Sequence, residues 1–342
     1  MATVHILSQY IWPDAAPTAV YAEQLAVRLQ ESGWQVSLVG GRGHYRAVQR
    51  DKPPVPMVYL RHWQGKRGKL GQTLAEYAAV NSAFACYIDQ AIQPGDLAIV
   101  TSAPPNTVRL ACRIRSRGAK AIYWLQDYYP ELIRGIAEYP ILLRQAFSRF
   151  WNYWLGRWNV VVKIGANLNG PSHNSVVIRN WPTLKFETPE RFETGTALYA
   201  GNLGYGHDIR LFVAACEELR KANYKITLRA DGPGTKQLPE WLRVQPLYES
   251  ADSLKADLLR HEVHLVAAHP RIRRAIFPSK IWNSIACGRR LICTGFAGEM
   301  EQELEAARIA PFEDHLSQWE QLIRRHTQYA DAELSPMSSA LA

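Results

Sequence analysis

The stretch AIFPSKIWNSIACGRRLICT, Ala275 to Thr294, decides how this chain is read. It reads as a short helix set between a loop and a buried strand. Ser279 after Pro278 stands where an N-cap belongs, and Ile281, Ile285 and Ala286 form an inward stripe at helical spacing. Gly288 takes the left-handed C-terminal position, and Arg290 to Thr294 follows as a strand. A helix N-terminus on a loop leaves several N–H groups free, and Lys280 adds a cation beside them. Together they suit a phosphate. A plain α/β unit with a surface lysine fits the same local pattern.

Outward from this segment the same alternation repeats. Val4 to Ser8 is an apolar run, Ala19 to Glu31 has helical spacing with Ala22, Leu25, Ala26 and Leu29 inward, and Trp34 to Val39 is the next strand. Asp96 to Val100, Ala121 to Leu125 and Asn159 to Ile164 continue the series, separated by helices over Leu74 to Ala91 and Val108 to Arg117. A second series starts at Thr196. Thr196 to Ala200 leads through the glycine loop GNLGYGH (201–207) into a helix at Ile209 to Ala222. Lys225 to Ala230, a helix at Ser253 to His261 and Val263 to Ala267 follow, and Asp314 to Tyr329 is a final helix before a frayed tail from Ser335. Such alternation predicts doubly wound parallel sheets with their loops gathered at one edge. The domains expected are 1–182, a linker at 183–195, a second domain at 196–313 and a last helix at 314–330.

Composition narrows the function. A length of 342 residues with 47% hydrophobic and 21% charged residues is that of a two-domain globular chain. No apolar run reaches the roughly 18 residues of a membrane span, and the first residues lack the pattern of a signal peptide. The five cysteines are scattered without a CxxC pair, which favours reduced thiols in a cytosolic protein. Residues 1–190 hold 21 Lys+Arg against 12 Asp+Glu, and residues 191–342 hold 19 of each, so the first part carries the whole net charge of +9. Nucleic acid, anionic lipid and an anionic substrate all suit such a half. No nucleic-acid recognition module is visible, so nucleic acid is not an expected partner.

Within that basic part the loop-rich stretch from Gly40 to Lys69 carries Arg42, Arg46, Arg50, Lys52, Arg61, Lys66, Arg67 and Lys69, with a strand over Val55 to Leu60. PILLRQAFSRFWNYWLGRW (140–158) mixes arginines with six interfacial aromatics. It reads either as a helix lying on an anionic membrane or as an aromatic core helix.

The glycine loop at Gly201, Gly204 and Gly206 brings backbone N–H groups close to an anion, but no GK[ST] follows, so it is not a P-loop. Its weight comes from its pairing with Lys280, so that two helix N-termini serve a two-phosphate ligand. Asp127 and Glu131, after a strand of the first half, read as a base or hydroxyl binders, and equally as a surface turn. No HExxH, paired histidines or DxD is present, so no metal site is expected.

These residues sit in pieces that resemble retaining glycosyltransferases of family 4, nearest the bacterial surface-polysaccharide, colanic-acid type. The pieces are SQYIWPDAAPTAVYAEQLAVRLQESGWQVSLVGG (8–41), WLQDYYPE (124–131), VVIRNWP (176–182), LYAGNLGYGHDI (198–209), RADGPG (229–234), HEVHLVAA (261–268) and FPSKIWNSIACGRRLICTG (277–295). The resemblance implies a GT-B fold, with two Rossmann-like domains facing a central cleft and a last helix returning to the first domain. It implies a hexosyltransferase that acts with retention on a nucleotide diphosphate sugar such as a UDP-sugar, with no metal or other cofactor. The acceptor it implies is a lipid-linked glycan or polysaccharide, at the cytoplasmic face of the cell membrane. Donor-binding residues would be Gly201, Gly204, His207, Asp231, Gly232, Pro278, Ser279, Lys280 and Asn283, with Lys280 and Asp127 as the catalytic pair. Trp12, Asp14, Ala16, Thr18, Asp127 and Glu131 would line the acceptor side. Where the family carries two glutamates eight residues apart, this chain has Ala275 and Asn283, and Ala15 and Ala16 replace two common glycines. Those departures admit a second reading, a catalytically silent GT-B protein that scaffolds a partner transferase. A nucleotide-sugar epimerase on the same fold is a third.

Overall fold

The computed structural model describes residues 2–41, 51–65, 70–136, 140–186, 191–204, 206–309 and 313–333. Arg42, Arg46, Arg50, Lys66, Arg67 and Lys69 of the basic stretch lie outside them, as do Tyr205 and the tail from Ser335.

The first half contains β1 (Thr3–Tyr10), α1 (Pro17–Glu31), β2 (Gln35–Gly41), β3 (Met57–Leu60) and α2 (Leu70–Ala91). It continues through β4 (Leu97–Thr101), α3 (Ala111–Ser116), β5 (Lys120–Leu125), α4 (Tyr129–Ile136), α5 (Ile141–Leu155), β6 (Val160–Lys163) and β7 (Ser175–Val177). The strands form one parallel sheet in the order β3-β2-β1-β4-β5-β6-β7. β4 is buried at every residue, as a strand covered by helices on both faces must be.

The second half contains β8 (Glu193–Asn202), α6 (Ile209–Lys221), β9 (Lys225–Asp231), β10 (Val244–Gln245) and α7 (Ala251–Arg260). β11 (His261–Ala267), α8 (Lys280–Ala286), β12 (Arg290–Thr294), α9 (Glu299–Ile309) and α10 (Glu313–Glu333) complete it. Its parallel sheet has the order β10-β9-β8-β11-β12. β12 is therefore an edge strand with only Thr294 buried, not the buried strand its apolar sequence predicts. An edge strand has a neighbour on one side only, so its side chains stay partly wet.

The helix that opened the sequence reading also differs in detail. Ile281 is buried, but Ile285 and Ala286 are only partly so, whereas Trp282, Asn283 and Ser284 are covered. A single stripe fails because α8 has cover on more than one flank. His264 Nδ1 meets Ser284 Oγ at 2.8 Å from β11, and Trp282 packs into the main core against Phe277 and His315. Gly288 does adopt the left-handed turn, with φ +68°.

That main core does not stop at the first sheet. It runs on through Phe277, Ile281 and Trp282, through Met300, Leu304 and Ala307 of α9, and through Trp319, Leu322 and Ile323 of α10. α10 lies against the first half: Trp319 meets Trp124 edge-on at 4.8 Å between centroids, and His315 Nδ1 lies 3.0 Å from the Asn180 carbonyl. Ser32 Oγ donates to Glu320 at 2.8 Å, and Arg28 pairs with the same carboxylate at 2.7 Å.

Candidate functional site

Strand order in the second sheet reverses between β8 and β11, so the loops leaving their C-terminal ends diverge and open a crevice. The loop after β8 is Gly201 to His207; the loop after β11 runs from Ala268 to Ser279 and leads into α8. The two are tied by His269 N–H to the Gly206 carbonyl at 2.8 Å. The Asp231–Gly234 turn after β9 closes the side: Leu203 N–H donates to the Asp231 carbonyl at 2.7 Å. Gly232 sits at φ +100°, and a Cβ there would come within 2.1 Å of Asn202 Oδ1. Asp231 and Gly232 thus shape the glycine loop from behind.

Lys280 crosses this crevice. Its chain passes over Gly201 so closely that a Cβ on that glycine, at φ +132°, would lie 2.7 Å from Lys280 Cε. The ammonium sits 3.8 Å from the centroid of the Tyr199 ring, a cation–π contact. The residue as a whole is only partly covered, but Nζ is sealed from solvent and makes no hydrogen bond. Burial accordingly pushes its pKa down to about 7. His207 Nδ1 lies 3.0 Å from the Gly204 nitrogen and 3.1 Å from its carbonyl oxygen, so the loop backbone holds the ring in place. Burial first and the charge of Lys280 second drive its pKa down to about 4, so the ring is neutral at pH 7. Gly201, Gly204, His207 and Lys280 are thus brought together, with Lys280 as the cation of the group.

Three expectations on the donor side are corrected. Ser279 already has helical backbone angles, φ −62° and ψ −23°, and its side chain caps nothing. A capping hydroxyl needs an extended N-cap to reach back to the helix N–H groups. The N-terminus of α6 does not complement α8 as an anion site, because Asp208 Oδ1 already accepts from Arg210 N–H at 3.1 Å and Leu211 N–H at 3.2 Å. Asn283 is turned away from the crevice: its Oδ1 accepts from the N–H groups of Thr183 and Leu184 at 2.9 and 3.2 Å, and its Nδ2 donates to Thr183 Oγ1. The carboxamide anchors the linker. Tyr199, Asn202 and Asp208 were not singled out in the sequence, although Asp208 immediately before α6 is an ordinary N-cap signal.

On the first half, Trp12, Asp14, Ala16 and Thr18 follow β1, and Asp127 follows β5, so all leave the same sheet edge on either side of β4. The Trp12 carbonyl accepts from Tyr59 Oη at 3.0 Å, Asp14 is buried, and Ala16 ends at the N-cap position of α1 with Thr18 in its first turn. Ser102 Oγ, just past β4, accepts the N–H groups of Gln126 and Asp127 at 3.0 and 3.1 Å and fixes the start of the second loop. Burial raises the Asp127 carboxyl to about 6. Glu131 lies in the first turn of α4. The two halves meet here, since Tyr128 N–H donates to the carbonyl of the buried Ala275 at 2.7 Å. Among the described residues no three metal-ligating side chains converge.

No family model matches the chain, and no curated protein sequence does. Solved structures do match along almost its whole length. An α,α-trehalose-phosphate synthase (UDP-forming) from Burkholderia xenovorans, in complex with glucose-6-phosphate, is 11% identical with a TM-score of 0.58, over 96% of each chain. A trehalose-6-phosphate structure from E. coli bound with UDP-2-fluoro glucose is 10% identical with a TM-score of 0.53, over 99% of this chain and 100% of that one. An α-glucosyltransferase in complex with UDP and a DNA 13-mer is 12% identical with a TM-score of 0.50, over 96% and 94%. The chain has the GT-B fold. At these identities the likeness is one of architecture: two parallel α/β sheets and the crevice between their C-terminal edges.

In the GT-B arrangement the loop after β11 faces α4 across the two halves. Asn167 Nδ2 donates to the Arg273 and Ile276 carbonyls at 2.6 and 2.9 Å, and Asn169 N–H to the Arg274 carbonyl at 2.9 Å. Between them lies a pocket of about 290 Å³ lined by Glu131, Pro270, Arg271, Arg273 and Arg274. Glu131 alone of that set was anticipated. The arginines fall in a loop with no periodicity, so no pattern along the sequence marks them.

Proposed function

We propose that this GT-B protein is a glycosyltransferase that moves a hexose, with retention, from a UDP-type nucleotide sugar to a lipid-linked or polysaccharide acceptor. One observation carries the reading: a buried, unbonded Lys280 ammonium aimed across the Gly201–His207 loop. A desolvated cation without a hydrogen-bond or ion-pair partner is costly to fold, and a diphosphate leaving group is the ligand that offsets it. The UDP chemistry of the structurally similar proteins supports the choice of nucleotide.

In this reading Lys280 and the glycine-loop N–H groups stabilise charge as it develops on the departing diphosphate, beside the neutral His207 ring. Asp231, Gly232, Pro278 and Ser279 shape the donor site around them. The departing phosphate takes the acceptor proton, so no strong protein base or metal is required. Asp127, on the facing half with Trp12, Asp14, Ala16, Thr18 and Glu131, orients the acceptor hydroxyl. The exposed apolar turn of α5 and its arginines support contact with an anionic membrane that supplies a lipid-linked acceptor.

Calorimetric titration of UDP, GDP, ADP and their sugars tests the donor assignment. UDP or a UDP-sugar should bind, and Lys280→Met should weaken it at least tenfold, about 1.4 kcal/mol, with the fold intact. Binding unaffected by Lys280→Met would sink the assignment. A second reading, the silent scaffold, is favoured by Ala275 and Asn283, whose places both serve structure here. Absence of binding to any nucleotide would select it.

A further inference from the structure

The arginine pocket between α4 and the Pro270–Arg274 turn is not accounted for by the donor site. None of its lining residues belongs to the Lys280 cradle, and its walls come from both halves of the molecule. Three of the five lining residues are arginines. Two of these share one carboxylate: Arg273 Nε reaches Glu299 Oε2 at 3.0 Å and Arg274 Nε reaches Oε1 at 2.8 Å. Among the described lining residues three guanidiniums, those of Arg271, Arg273 and Arg274, stand with the one carboxylate of Glu131, and Glu299 serves Arg273 and Arg274 together. Each guanidinium carries five N–H donors in a planar fork, so bonding to Glu299 orients Arg273 and Arg274 without exhausting them. Both remain about half exposed and open to the pocket. Neutral sugar hydroxyls need no excess cation; a carboxylate or phosphate does, and meets a guanidinium fork in two parallel bonds.

We infer that this pocket binds an anionic group, phosphate or carboxylate, carried by the acceptor. The volume is at the small end of ligand sites, room for a charged head rather than a whole glycan. The position fits that role, since α4 belongs to the acceptor half and the turn follows β11 beside the donor loop. The assignment to the acceptor rests on the proposed glycosyltransfer; the anion site itself does not.

Two probes and three proteins test it. Inorganic phosphate and glucuronate are titrated calorimetrically at low salt into the full chain, its Lys280→Met variant and an Arg271→Gln/Arg274→Gln variant. UDP is titrated into each in parallel. The pocket predicts that at least one of the two anions binds the Lys280→Met protein within twofold of wild type. The double arginine variant should lose at least tenfold for that anion and keep its UDP affinity. Phosphate alone names a phosphorylated acceptor; glucuronate alone names an acidic sugar. Should the double variant lose its fold by circular dichroism, Arg271→Gln alone, with the Glu299 pairs intact, should still weaken the anion at least threefold. Anion binding that survives in the arginine variants, or that disappears only with Lys280, overturns the inference. Loss of all UDP binding with arginine-dependent anion binding retained would instead remove the transferase reading and leave the pocket standing.

Discussion

Lys280 couples folding, pH and ligand binding through one nitrogen. Its pKa in the folded chain, about 7, lies below its ordinary 10.5. Between those values the unfolded chain holds the proton and the folded chain does not, so stability rises with pH across this window. Below pH 7 both states are charged, and the full penalty of the buried ammonium remains. Lys280→Met should therefore raise the melting temperature at pH 6 and flatten its rise from pH 7 to 10, by differential scanning calorimetry, while it weakens donor binding. A bound diphosphate favours the ammonium, so donor binding takes up a proton above pH 7, and affinity for a nucleotide sugar should fall as pH rises beyond it. Lys280→Arg, charged throughout, should remove that slope. Gly201 is the companion position. Alanine there meets both a strained φ of +132° and the Lys280 chain, and should destabilise the fold by roughly 1–2 kcal/mol and displace the ammonium. A melt unchanged on Gly201→Ala would show that the two are not in register.

Among the elements, α5 and α10 show how one sequence pattern resolves into two jobs. α5 packs on the core along one face and leaves apolar side chains exposed elsewhere. Trp151 and Leu155 are buried, Phe147 and Trp154 pack against the core, and Arg109 lies 5.4 Å from the Trp154 ring centroid. Ile141, Leu142 and Leu143 on its first turn are 59%, 74% and 61% exposed, and Phe150 and Tyr153 lie further along in solvent. The apolar turn, not Trp154, is thus the part that the proposed membrane contact would use. Flotation on anionic liposomes should fall with rising salt and be lost in Leu142→Ser/Leu143→Ser; flotation untouched by both would return the helix to a purely structural role. α10 is amphipathic in sequence, but what it covers is set by Trp319 against Trp124. Trp319→Ala should cost about 3–5 kcal/mol in chemical denaturation, large for an element at the end of the chain.

At the scale of the molecule the two halves are joined by buried polar bonds as well as by apolar packing. Glu303 of α9 is almost fully buried, and its carboxylate takes Arg179 at 2.5 and 3.2 Å and the Ala166 N–H at 3.0 Å, all from the first half. Glu303→Gln keeps the shape and loses the charge, and should cost about 2 kcal/mol. With a core that runs from the first sheet through α8, α9 and α10, unfolding followed by tryptophan fluorescence and by circular dichroism should coincide in wild type. Two separate transitions would show that the halves fold independently.

The sequence by itself determined the alternation of strands and helices, the two parallel sheets and the loops at their C-terminal edges. It also marked Lys280 and the glycine loop as separate phosphate-binding signals. These follow from local periodicity, turn residues and the handedness of parallel crossovers, which act over a few residues to a few tens. Tertiary structure alone decided what those residues do. It sealed the Lys280 ammonium from water and spent Asn283 on the linker. It left β12 on an edge, and it gathered three arginines of an aperiodic loop opposite Glu131. Burial, partner choice and pKa arise from atoms far apart in the chain, so no pattern along Ala275 to Thr294 encodes them. The segment names its own helix and strand; the linker, α4 and the glycine loop give it a site.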